Sequence, residues 1–428
     1  MAAVDTIIVG AGGRGNAYAR FASEYPSELS VVGVADPEEI RRDRIATYHD
    51  ISPDMQFDGW EALLDSDGKR SATVMNCTMD RMHYQSTMKM LDQGYDVLLE
   101  KPMTPVLHEN VKLVQKAEDA GRLLQICHVL RYSPFWQKLK EVVDSGVLGR
   151  IVSVTHRENL VFWHMSHSFV RGNWRNEETS GPMILSKCCH DLDILLWILK
   201  QNVVHLSSYG SLTHFRPENA PEGAPLRCTD GCPVAESCKY EATRLYAHDG
   251  DRWPLNALTY IPTAEARLEE LKTGWYGRCV YHCDNDVVDH QSVNMEMEDG
   301  TTVNLVMNGQ GDEECRTMRW DGTKATLYGK FSSLGNEISI HHHLTGKVEQ
   351  VEIFDRDSSG HGGGDFGIVR SFLNAVQGRP DDSITTARES LESHLLAFAA
   401  EESRAKHTTI YMPEYRERVE REAREMDI

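Results

Sequence analysis

The sequence predicts an α/β protein with two domains, and three observations support this. Short apolar segments alternate with segments of helical length through the first 128 residues, which is typical of a parallel sheet covered by helices. After residue 150 apolar and polar residues alternate instead, as in a sheet with one solvated face. A chain of 428 residues is also longer than one hydrophobic core usually supports.

The first domain, residues 1–128, is predicted to be a doubly wound sheet of the Rossmann type. Its strands are apolar on both faces, as expected for strands buried between two layers of helices. Helical segments separate them, so consecutive strands are expected to run parallel. The predicted strands are at 6–9, 29–35, 71–78, 95–100 and 122–129.

The second domain, residues 129–428, is predicted to be α/β with an open, mostly antiparallel sheet. A polar insertion rich in Pro, Gly and Cys interrupts it at 212–283. Packing helices are expected over 365–405, followed by a charged, solvated tail from 413. The strands of the sheet are expected at 151–159, 276–282, 290–298 and 301–309.

Composition excludes several classes of protein. Acidic residues outnumber basic ones by 65 to 45, so a net charge of −20 repels the backbone of nucleic acids. No apolar run approaches the roughly 18 residues that span a membrane. The first apolar segment runs into a glycine loop instead of a cleavage site. We therefore expect a cytoplasmic, water-soluble protein with no nucleic-acid or membrane partner.

A glycine motif, GAGGRG at 10–15, follows the first strand and begins a helical segment. Glycines in this setting let a pyrophosphate approach the bare backbone at the amino end of a helix. Asp36 ends the second strand, where a carboxylate binds the hydroxyls of an adenosine ribose. Such a carboxylate repels a 2′-phosphate and favours NAD, whereas Arg41 and Arg42 nearby leave NADP open as the alternative.

Several segments carry a family resemblance in addition to the glycine motif. They are EKP at 100–102, NCTMDRMH at 76–83, HVLRYSP at 128–134 and KCCHDLD at 187–193. Together, and in this order, they resemble the glucose-fructose oxidoreductase, inositol dehydrogenase and MocA (Gfo/Idh/MocA) family over most of the chain. The resemblance implies hydride transfer between a nicotinamide and a sugar, an inositol or a related acid. It also implies a homodimer or homotetramer.

The resemblance places the EKP lysine and the histidine of a DxGxHxxD motif at the reactive centre. These map onto Lys101 and His190, with Asp193 as the trailing acid. His190 suits the base that removes the hydroxyl proton, and Lys101 suits the cation that stabilises the developing alkoxide. Ser186 and Cys188 depart from the motif, since an aspartate and a glycine are expected there.

Two further sets of residues are predicted to contact ligands. The loop FWHMSHSFVRGNWR at 162–175 offers aromatic and hydrogen-bonding groups to a sugar, or alternatively to a subunit interface. The positively charged side chains in this loop and near the site are suited to bind an anionic substituent on the sugar. The predicted substrate contacts are Arg131, His164, His167, Arg171, Trp174, Lys187 and Asp193. The predicted cofactor contacts are Gly10, Gly12, Gly13, Arg14, Gly15, Asp36, Thr78, His83, Glu100 and Lys101.

Cysteines cluster in the insertion, in RCTDGCPVAESCKY and GRCVYHCD. Cys228, Cys232, Cys238 and Cys279 are predicted to close a structural zinc site, which would give shape to a polar insertion. The spacing is not that of a paired CxxC zinc ribbon, so free or disulfide-linked thiols are the alternative.

The sequence leaves three functions open. The first is an NAD-dependent oxidoreductase acting on a secondary hydroxyl, at C3, of a sugar or glycoside. The second is a glycosidase that retains its NAD, oxidises C3 transiently, eliminates the aglycone and ends without net redox change. The third is a non-catalytic sensor that binds the dinucleotide. A glycine-rich segment, GHGGGD at 360–365, is either a cover over the site or a plain turn.

Overall fold

The computed structural model describes residues 2–66, 68–354 and 359–426. It contains one sheet of six strands, formed by the first part of the chain, and one of nine strands, formed by the rest. The predicted α/β class, a doubly wound parallel sheet plus an open, mostly antiparallel one, is confirmed. No helix among these residues is both long and apolar enough to cross a lipid bilayer.

The amino-terminal sheet alternates strands and helices in chain order. The elements are β1 (Val4–Val9), α1 (Gly13–Glu24), β2 (Leu29–Ala35), α2 (Glu39–His49), β3 (Gln56–Phe57), α3 (Trp60–Asp65), β4 (Thr73–Asn76), α4 (His83–Asp92), β5 (Asp96–Leu99), α5 (Leu107–Ala120) and β6 (Leu124–Ile126). The strand order is β3-β2-β1-β4-β5-β6, and every pair is parallel. The order reverses between β1 and β4, so the ligand crevice of such a sheet lies at their carboxyl ends.

The carboxy-terminal sheet includes strands from far apart in the chain. Its strands are β7 (Ile151–Val161), β8 (Val203–Ser211), β9 (His290–Met297), β10 (Thr302–Gly311), β11 (Cys315–Gly322), β12 (Ala325–Ser332), β13 (Glu337–His342), β14 (Val348–Gln350) and β15 (Ile410–Tyr411). The order is β14-β13-β12-β11-β7-β10-β9-β8-β15. Among the described strands, β7 and β10 are the one parallel pair of this sheet.

Helices of the second half cover the sheet and connect it to the first. They are α6 (Pro134–Asp144), α7 (Phe162–Met165), which continues into a π-helix at Ser166–Arg171, α8 (Glu177–Ser180), α9 (Met183–Ser186), α10 (Cys189–Leu199), α11 (Ala242–Tyr246), α12 (Ala264–Thr273), α13 (Gly364–Val376), α14 (Ala387–Lys406) and α15 (Met412–Glu425). The segment just before α14 reaches the parallel sheet, because the Ile126 N–H donates to the carbonyl oxygen of Thr385 at 2.7 Å. The Met103 N–H likewise donates to His394 on α14 at 3.0 Å.

Two sequence predictions about secondary structure were wrong. The segment 276–282 forms turns after a short 3₁₀ helix, not a strand. Cys279, Val280 and Tyr281 are buried consecutively, whereas a strand with one solvated face alternates. The tail from 413 is largely helical, not a solvated end, because α15 buries residues three to four apart in sequence.

Candidate active site

The glycine loop between β1 and α1 has the backbone geometry that a dinucleotide requires. Gly10 has a φ of +88°, and a Cβ there would collide with the backbone of Cys77. A Cβ at Gly15 would collide with the Gly10 carbonyl group, so α1 packs tightly against the turn. At Gly12 and Gly13 a Cβ would meet nothing within 4 Å, which leaves open space at the amino end of α1. The loop therefore fits a pyrophosphate.

Asp36 lies beside this loop at the end of β2. Its carboxylate accepts the backbone N–H groups of Ala11 at 2.7 Å and Glu38 at 2.9 Å, which fixes its orientation. A carboxylate has further lone pairs, so it still has acceptor capacity for ribose hydroxyls. Arg42 donates to the Asp36 carbonyl oxygen at 2.7 Å and forms an ion pair with Asp58 at 3.1 Å. The charge of Arg42 is thus partly neutralised.

Arg14 and Glu100, both predicted as cofactor contacts, bind each other. Arg14 Nε lies 2.7 Å from Glu100, and its terminal nitrogens donate to both carboxylate oxygens of Asp365 at 2.8 and 2.9 Å. Tyr18 also donates to Glu100. Burial alone would raise the pKa of Glu100, but Arg14 beside it brings that pKa below its ordinary value. These ion pairs connect the glycine loop to the end of β5 and to α13, so they position the loop.

Thr78 and His83 lie after β4, next to Gly10. The Thr78 hydroxyl donates to the side-chain oxygen of Asn76 at 2.8 Å. The His83 ring nitrogens lie 2.8 Å from the carbonyl oxygen of Pro102 and 3.0 Å from that of Thr78. His83 therefore connects the loop after β4 to the EKP loop, and both of its ring nitrogens are already engaged.

Lys101 and His190 both lie at the crevice of the parallel sheet. Lys101 follows β5, and its ammonium group donates to the Ser186 carbonyl oxygen at 2.9 Å, just before α10. His190 lies in the first turn of α10 and is 5% exposed. Burial lowers the pKa of His190 well below its ordinary value, and the charge of Lys101 lowers it further. His190 is thus a neutral imidazole near pH 7, the form that accepts a proton.

Ser186 explains how the departure from the DxGxHxxD motif is accommodated. Ser186 occupies the position where an aspartate is expected. Its backbone carbonyl oxygen accepts a hydrogen bond from the ammonium group of Lys101. Its hydroxyl donates to the carbonyl oxygen of Ser180 at 2.9 Å. The lysine is therefore held at this position by a backbone oxygen.

Two other histidine rings lie next to His190, and the sequence analysis assigned neither of them a role. His128 has its ring centroid 5.7 Å from that of His190, and both of its nitrogens are buried without a hydrogen-bond partner among the described residues. Burial lowers the pKa of His128 well below its ordinary value. His361 lies on the other side, with its centroid 6.0 Å from that of His190. His128 thus extends the site inward and His361 extends it toward solvent.

His361 belongs to the GHGGGD segment and is oriented by a carboxylate. Its Nδ1 lies 2.9 Å from Asp365, and its side chain is 40% exposed. Burial would raise the pKa of Asp365, but Arg14 and His361 hold it well below its ordinary value. His361 has a φ of 56°, a left-handed conformation that non-glycine residues adopt uncommonly and that often accompanies function. Both residues of this pair belong to the GHGGGD segment, which was predicted to be either a cover over the site or a plain turn.

Arg131 and Asp193, both predicted to contact substrate, instead bind each other. The guanidinium of Arg131 donates to both carboxylate oxygens of Asp193, at 2.6 and 2.8 Å. Their side chains are 4% and 1% exposed. This bidentate pair uses two of the three guanidinium nitrogens, and the third lies 3.5 Å from Glu389. The pair joins α10 to the segment after β6.

Lys187 and His164 form a second paired group. Lys187 lies 3.2 Å from Glu158 and 3.1 Å from Glu314, and His164 lies 2.9 Å from Glu314. Burial lowers the pKa of His164, as does the charge of Lys187. The pKa of Glu314 is held well below its ordinary value by Lys187 and His164, against the effect of burial. The expected charge of Lys187 is therefore balanced by two carboxylates, which the sequence analysis did not identify.

The remaining predicted substrate residues face the insertion or the loop after β4. His167 stacks on Tyr276 with centroids 4.6 Å apart, and burial lowers the pKa of His167 to about 3. Trp174 donates from its indole nitrogen to Asp80 at 2.9 Å. Arg171 is fully buried and donates to the carbonyl oxygens of Arg278 at 2.7 Å and Tyr240 at 2.8 Å. Arg171 thus supports the insertion and is enclosed away from the crevice.

The predicted zinc site is not found. Cys228, Cys232, Cys238 and Cys279 do line one small cavity together with Arg171. However, no group of three or more His, Cys, Asp or Glu side chains in the described part of the chain has an arrangement that could hold a metal ion. None of the four cysteines forms a disulfide, and packing of α11, α12 and their turns shapes the insertion.

Comparison with known sequences identifies both halves of the chain. The model of an oxidoreductase family with an NAD-binding Rossmann fold (GFO_IDH_MocA) matches residues 4–128, and that of the GFO/IDH/MocA C-terminal domain matches 136–328. The YteT protein of Bacillus subtilis is 34% identical over 167 residues, which is 38% of each chain. Inositol 2-dehydrogenase 4 of Saccharopolyspora erythraea is 28% identical over 223 residues, or 50% of this chain and 59% of that protein. The chain thus matches less than two thirds of the length of these relatives.

Solved structures share the fold over nearly the whole chain. The WlbA dehydrogenase of Bordetella pertussis, solved with NADH and UDP-GlcNAcA, has a TM-score of 0.67 and 14% identity, covering 96% of this chain and 97% of its own. The UDP-N-acetylglucosamine 3-dehydrogenase GnnA of Acidithiobacillus ferrooxidans has a TM-score of 0.63 and 18% identity, covering 94% and 98%. Because the two family models together match more than half of the sequence, the chain belongs to the GFO/IDH/MocA oxidoreductase family.

Proposed function

We propose that this protein is an NAD-dependent oxidoreductase that removes hydrogen from a secondary hydroxyl of a sugar or glycoside. The observation that carries the proposal is the joint position of Lys101 and a neutral His190 at the crevice of the parallel sheet. The bound nicotinamide would supply the hydride acceptor. The glycine loop and Asp36 would bind the pyrophosphate and the adenosine ribose of this cofactor.

His190 and Lys101 have different roles in the oxidation of the alcohol. His190 accepts the hydroxyl proton, and we assign it to Nε2 because Nδ1 is enclosed without a partner among the described residues. Lys101 stabilises the negative charge that develops on the oxygen. A low pKa makes His190 a weak base, so the proton must pass on quickly. His361, half-exposed and oriented by Asp365, offers a route to solvent.

The cofactor we propose is NAD, not NADP. The Asp36 carboxylate would repel a 2′-phosphate, and the cation next to it, Arg42, is already paired with Asp58. Arg41 lies against the ring of Tyr260, with its guanidinium carbon 5.2 Å from the ring centroid. Arg42 is therefore paired with a carboxylate, and Arg41 is held against an aromatic ring.

The substrate we propose is rich in hydroxyl groups and carries little negative charge. The cations expected to bind an anionic substituent are engaged: Arg131 by Asp193, and Lys187 by Glu158 and Glu314. The partly exposed carboxylate of Glu314 is suited to accept hydrogen bonds from sugar hydroxyls. Oxidation at C3 is the finer proposal, and the fold shared with a UDP-N-acetylglucosamine 3-dehydrogenase is consistent with it.

A redox-neutral glycosidase is the second candidate, and the His361–Asp365 pair favours it. Elimination requires one group to remove a C2 proton after oxidation at C3 and an acid to protonate the leaving aglycone oxygen. His190 and His361, with centroids 6.0 Å apart, supply two such groups on one site. Water then adds to the alkene, and return of the hydride to C3 leaves no net redox change.

Purified protein should be mixed with NAD and a panel of sugars, inositols and aryl glycosides, with NADH absorbance and aglycone release followed in parallel. NADH formed in proportion to sugar consumed supports the oxidoreductase. Aglycone release without NADH supports the glycosidase. Both signals should disappear in Lys101→Ala and persist in Lys138→Ala, a partly exposed lysine on α6 that pairs with Glu141. Absence of both signals across the panel would contradict the proposal.

A further inference from the structure

One segment of the insertion, residues 249–262, lies against the dinucleotide domain instead of the sheet that carries the insertion. We propose that this segment, here called the strap, completes the adenosine end of the cofactor site and slows release of the cofactor. The proposal rests on the dinucleotide assignment made above.

Two contacts join the strap to α2, the helix that follows Asp36. Arg44 forms an ion pair with Asp251 at 3.0 Å, and Arg41 packs over the ring of Tyr260. Arg41 lies in the first turn of α2, which begins at Glu39, three residues after Asp36. The strap therefore reaches the point where the ribose hydroxyls are expected.

The same neighbourhood contains a polar atom without a partner. Arg41 Nε is buried and has no hydrogen-bond partner among the described residues. A buried donor of this kind costs free energy unless a ligand or water satisfies it. The flat guanidinium of Arg41 and the ring of Tyr260 provide surfaces on which an adenine base stacks.

Between these two contacts, Trp253 of the strap packs against the predicted substrate loop. Trp253 has its ring centroid 4.8 Å from that of His164, 5.3 Å from His167 and 5.4 Å from Trp163. The strap thus extends from the adenosine end of the site to residues 163–167. A cofactor bound in the crevice would have to leave past it.

The strap is held in shape from within the insertion. Arg267 on α12 is fully buried and donates to the carbonyl oxygens of His248, Gly250 and Leu255. The Gly250 N–H also donates to the carbonyl oxygen of Pro262 at 3.0 Å, which closes the strap into a loop. Little ordering is then needed when the cofactor binds, and preorganisation of this kind lowers the cost of binding.

The test is the rate of NADH release. NADH-loaded protein is mixed with excess NAD in a stopped-flow instrument, and the loss of bound-NADH fluorescence is followed. We expect release from Tyr260→Ala to be roughly tenfold faster, the effect of losing one stacking surface. Tyr260→Phe should keep the slow rate, since its ring remains. Tyr209→Ala, which removes an exposed tyrosine of β8, is the matched control.

A second readout follows from Arg41. In Tyr260→Ala the guanidinium is no longer held against the ring, so the affinity for NADPH relative to NADH should rise. If release from Tyr260→Ala stays within about twofold of wild type, less than one stacking contact contributes, and the strap proposal is overturned while the dinucleotide site stands. If the wild-type protein binds neither NADH nor NADPH, the dinucleotide assignment fails, and the strap proposal fails with it.

Discussion

The dinucleotide end and the substrate end of this molecule differ in which atoms carry the site. At the dinucleotide end, backbone N–H groups and glycines provide the fit, and they lie within one short segment of the sequence. At the substrate end, side chains from distant segments meet, and many of them bind each other. Arg131 pairs with Asp193, and Lys187 with Glu158 and Glu314. A cation near a site is therefore not by itself evidence of a ligand contact, because its carboxylate partners have to be identified as well.

The largest effect is expected at Lys101. Lys101→Ala removes the cation that stabilises the developing alkoxide, so kcat/KM should fall by about 10³-fold, as for loss of an oxyanion-stabilising donor. Steady-state kinetics with the sugar found in the panel measure it. The control variant Lys138→Ala should match wild type. An active Lys101→Ala enzyme would contradict the role given to this residue.

Loss of the Arg131–Asp193 pair should affect stability, not substrate affinity. Arg131→Met leaves the Asp193 carboxylate buried without its partner, so the free energy of unfolding should fall by about 3–5 kcal/mol. Urea unfolding followed by fluorescence measures this change. In the double variant Arg131→Met with Asp193→Leu, part of the stability should return. Unchanged stability with a raised KM would restore Arg131 as a substrate contact.

These residues show how far sequence reasoning reaches in this protein. GAGGRG and Asp36 were predictable because their roles depend on backbone turns and on the end of one strand. The packing of α14 and α15 against the rest of the protein was not predictable, since it depends on contacts between residues far apart in the sequence. Ion-pair partners such as Glu314 for Lys187 lie more than a hundred residues away, and no local pattern reveals them. Thiol spacing likewise did not determine whether four cysteines converge on a metal.

His190 should control the pH profile. His190→Asn is expected to lower kcat/KM by about 10²-fold, because general base catalysis is lost. In wild type the neutral imidazole is active and its pKa is lowered by burial. Activity should therefore stay level as the pH falls through 6.5, the ordinary pKa of histidine, and decline only at lower pH. A decline centred at or above pH 6.5 would contradict a buried, neutral base.

Buried histidines should make the fold sensitive to acid. Burial lowers the pKa values of His167 and His394 to about 3, while the unfolded chain binds protons on them below about 6.5. Stability should fall as the pH drops below 6.5, by about 2 kcal/mol per residue between pH 7 and 5. Between pH 7 and 5, the free energy of unfolding of His167→Phe should fall by about 2 kcal/mol less than that of wild type. Equal drops in both proteins would mean that His167 is not buried neutral.

The smallest expected effect is at His361. His361→Asn keeps a residue that tolerates a left-handed backbone and removes the ring that relays the proton. We expect kcat to fall about tenfold, less than the roughly 10²-fold or more of a direct acid–base group, because His361 only relays the proton; added imidazole should partly restore kcat. His205→Asn, at an exposed site on β8, is the control. If kcat and the pH profile are unchanged, His361 has no part in proton transfer.

Deuterium transfer tests the central claim most directly. A sugar oxidised by the enzyme is prepared with deuterium on the carbon of the reacting hydroxyl, and the reduced cofactor is analysed by mass spectrometry after one turnover. The account predicts one deuterium per NADH in wild type, and none detectable over the same time in Lys101→Ala. Sugar conversion with no deuterium in the cofactor, even transiently, would show that the crevice of Lys101 and His190 does not perform hydride transfer.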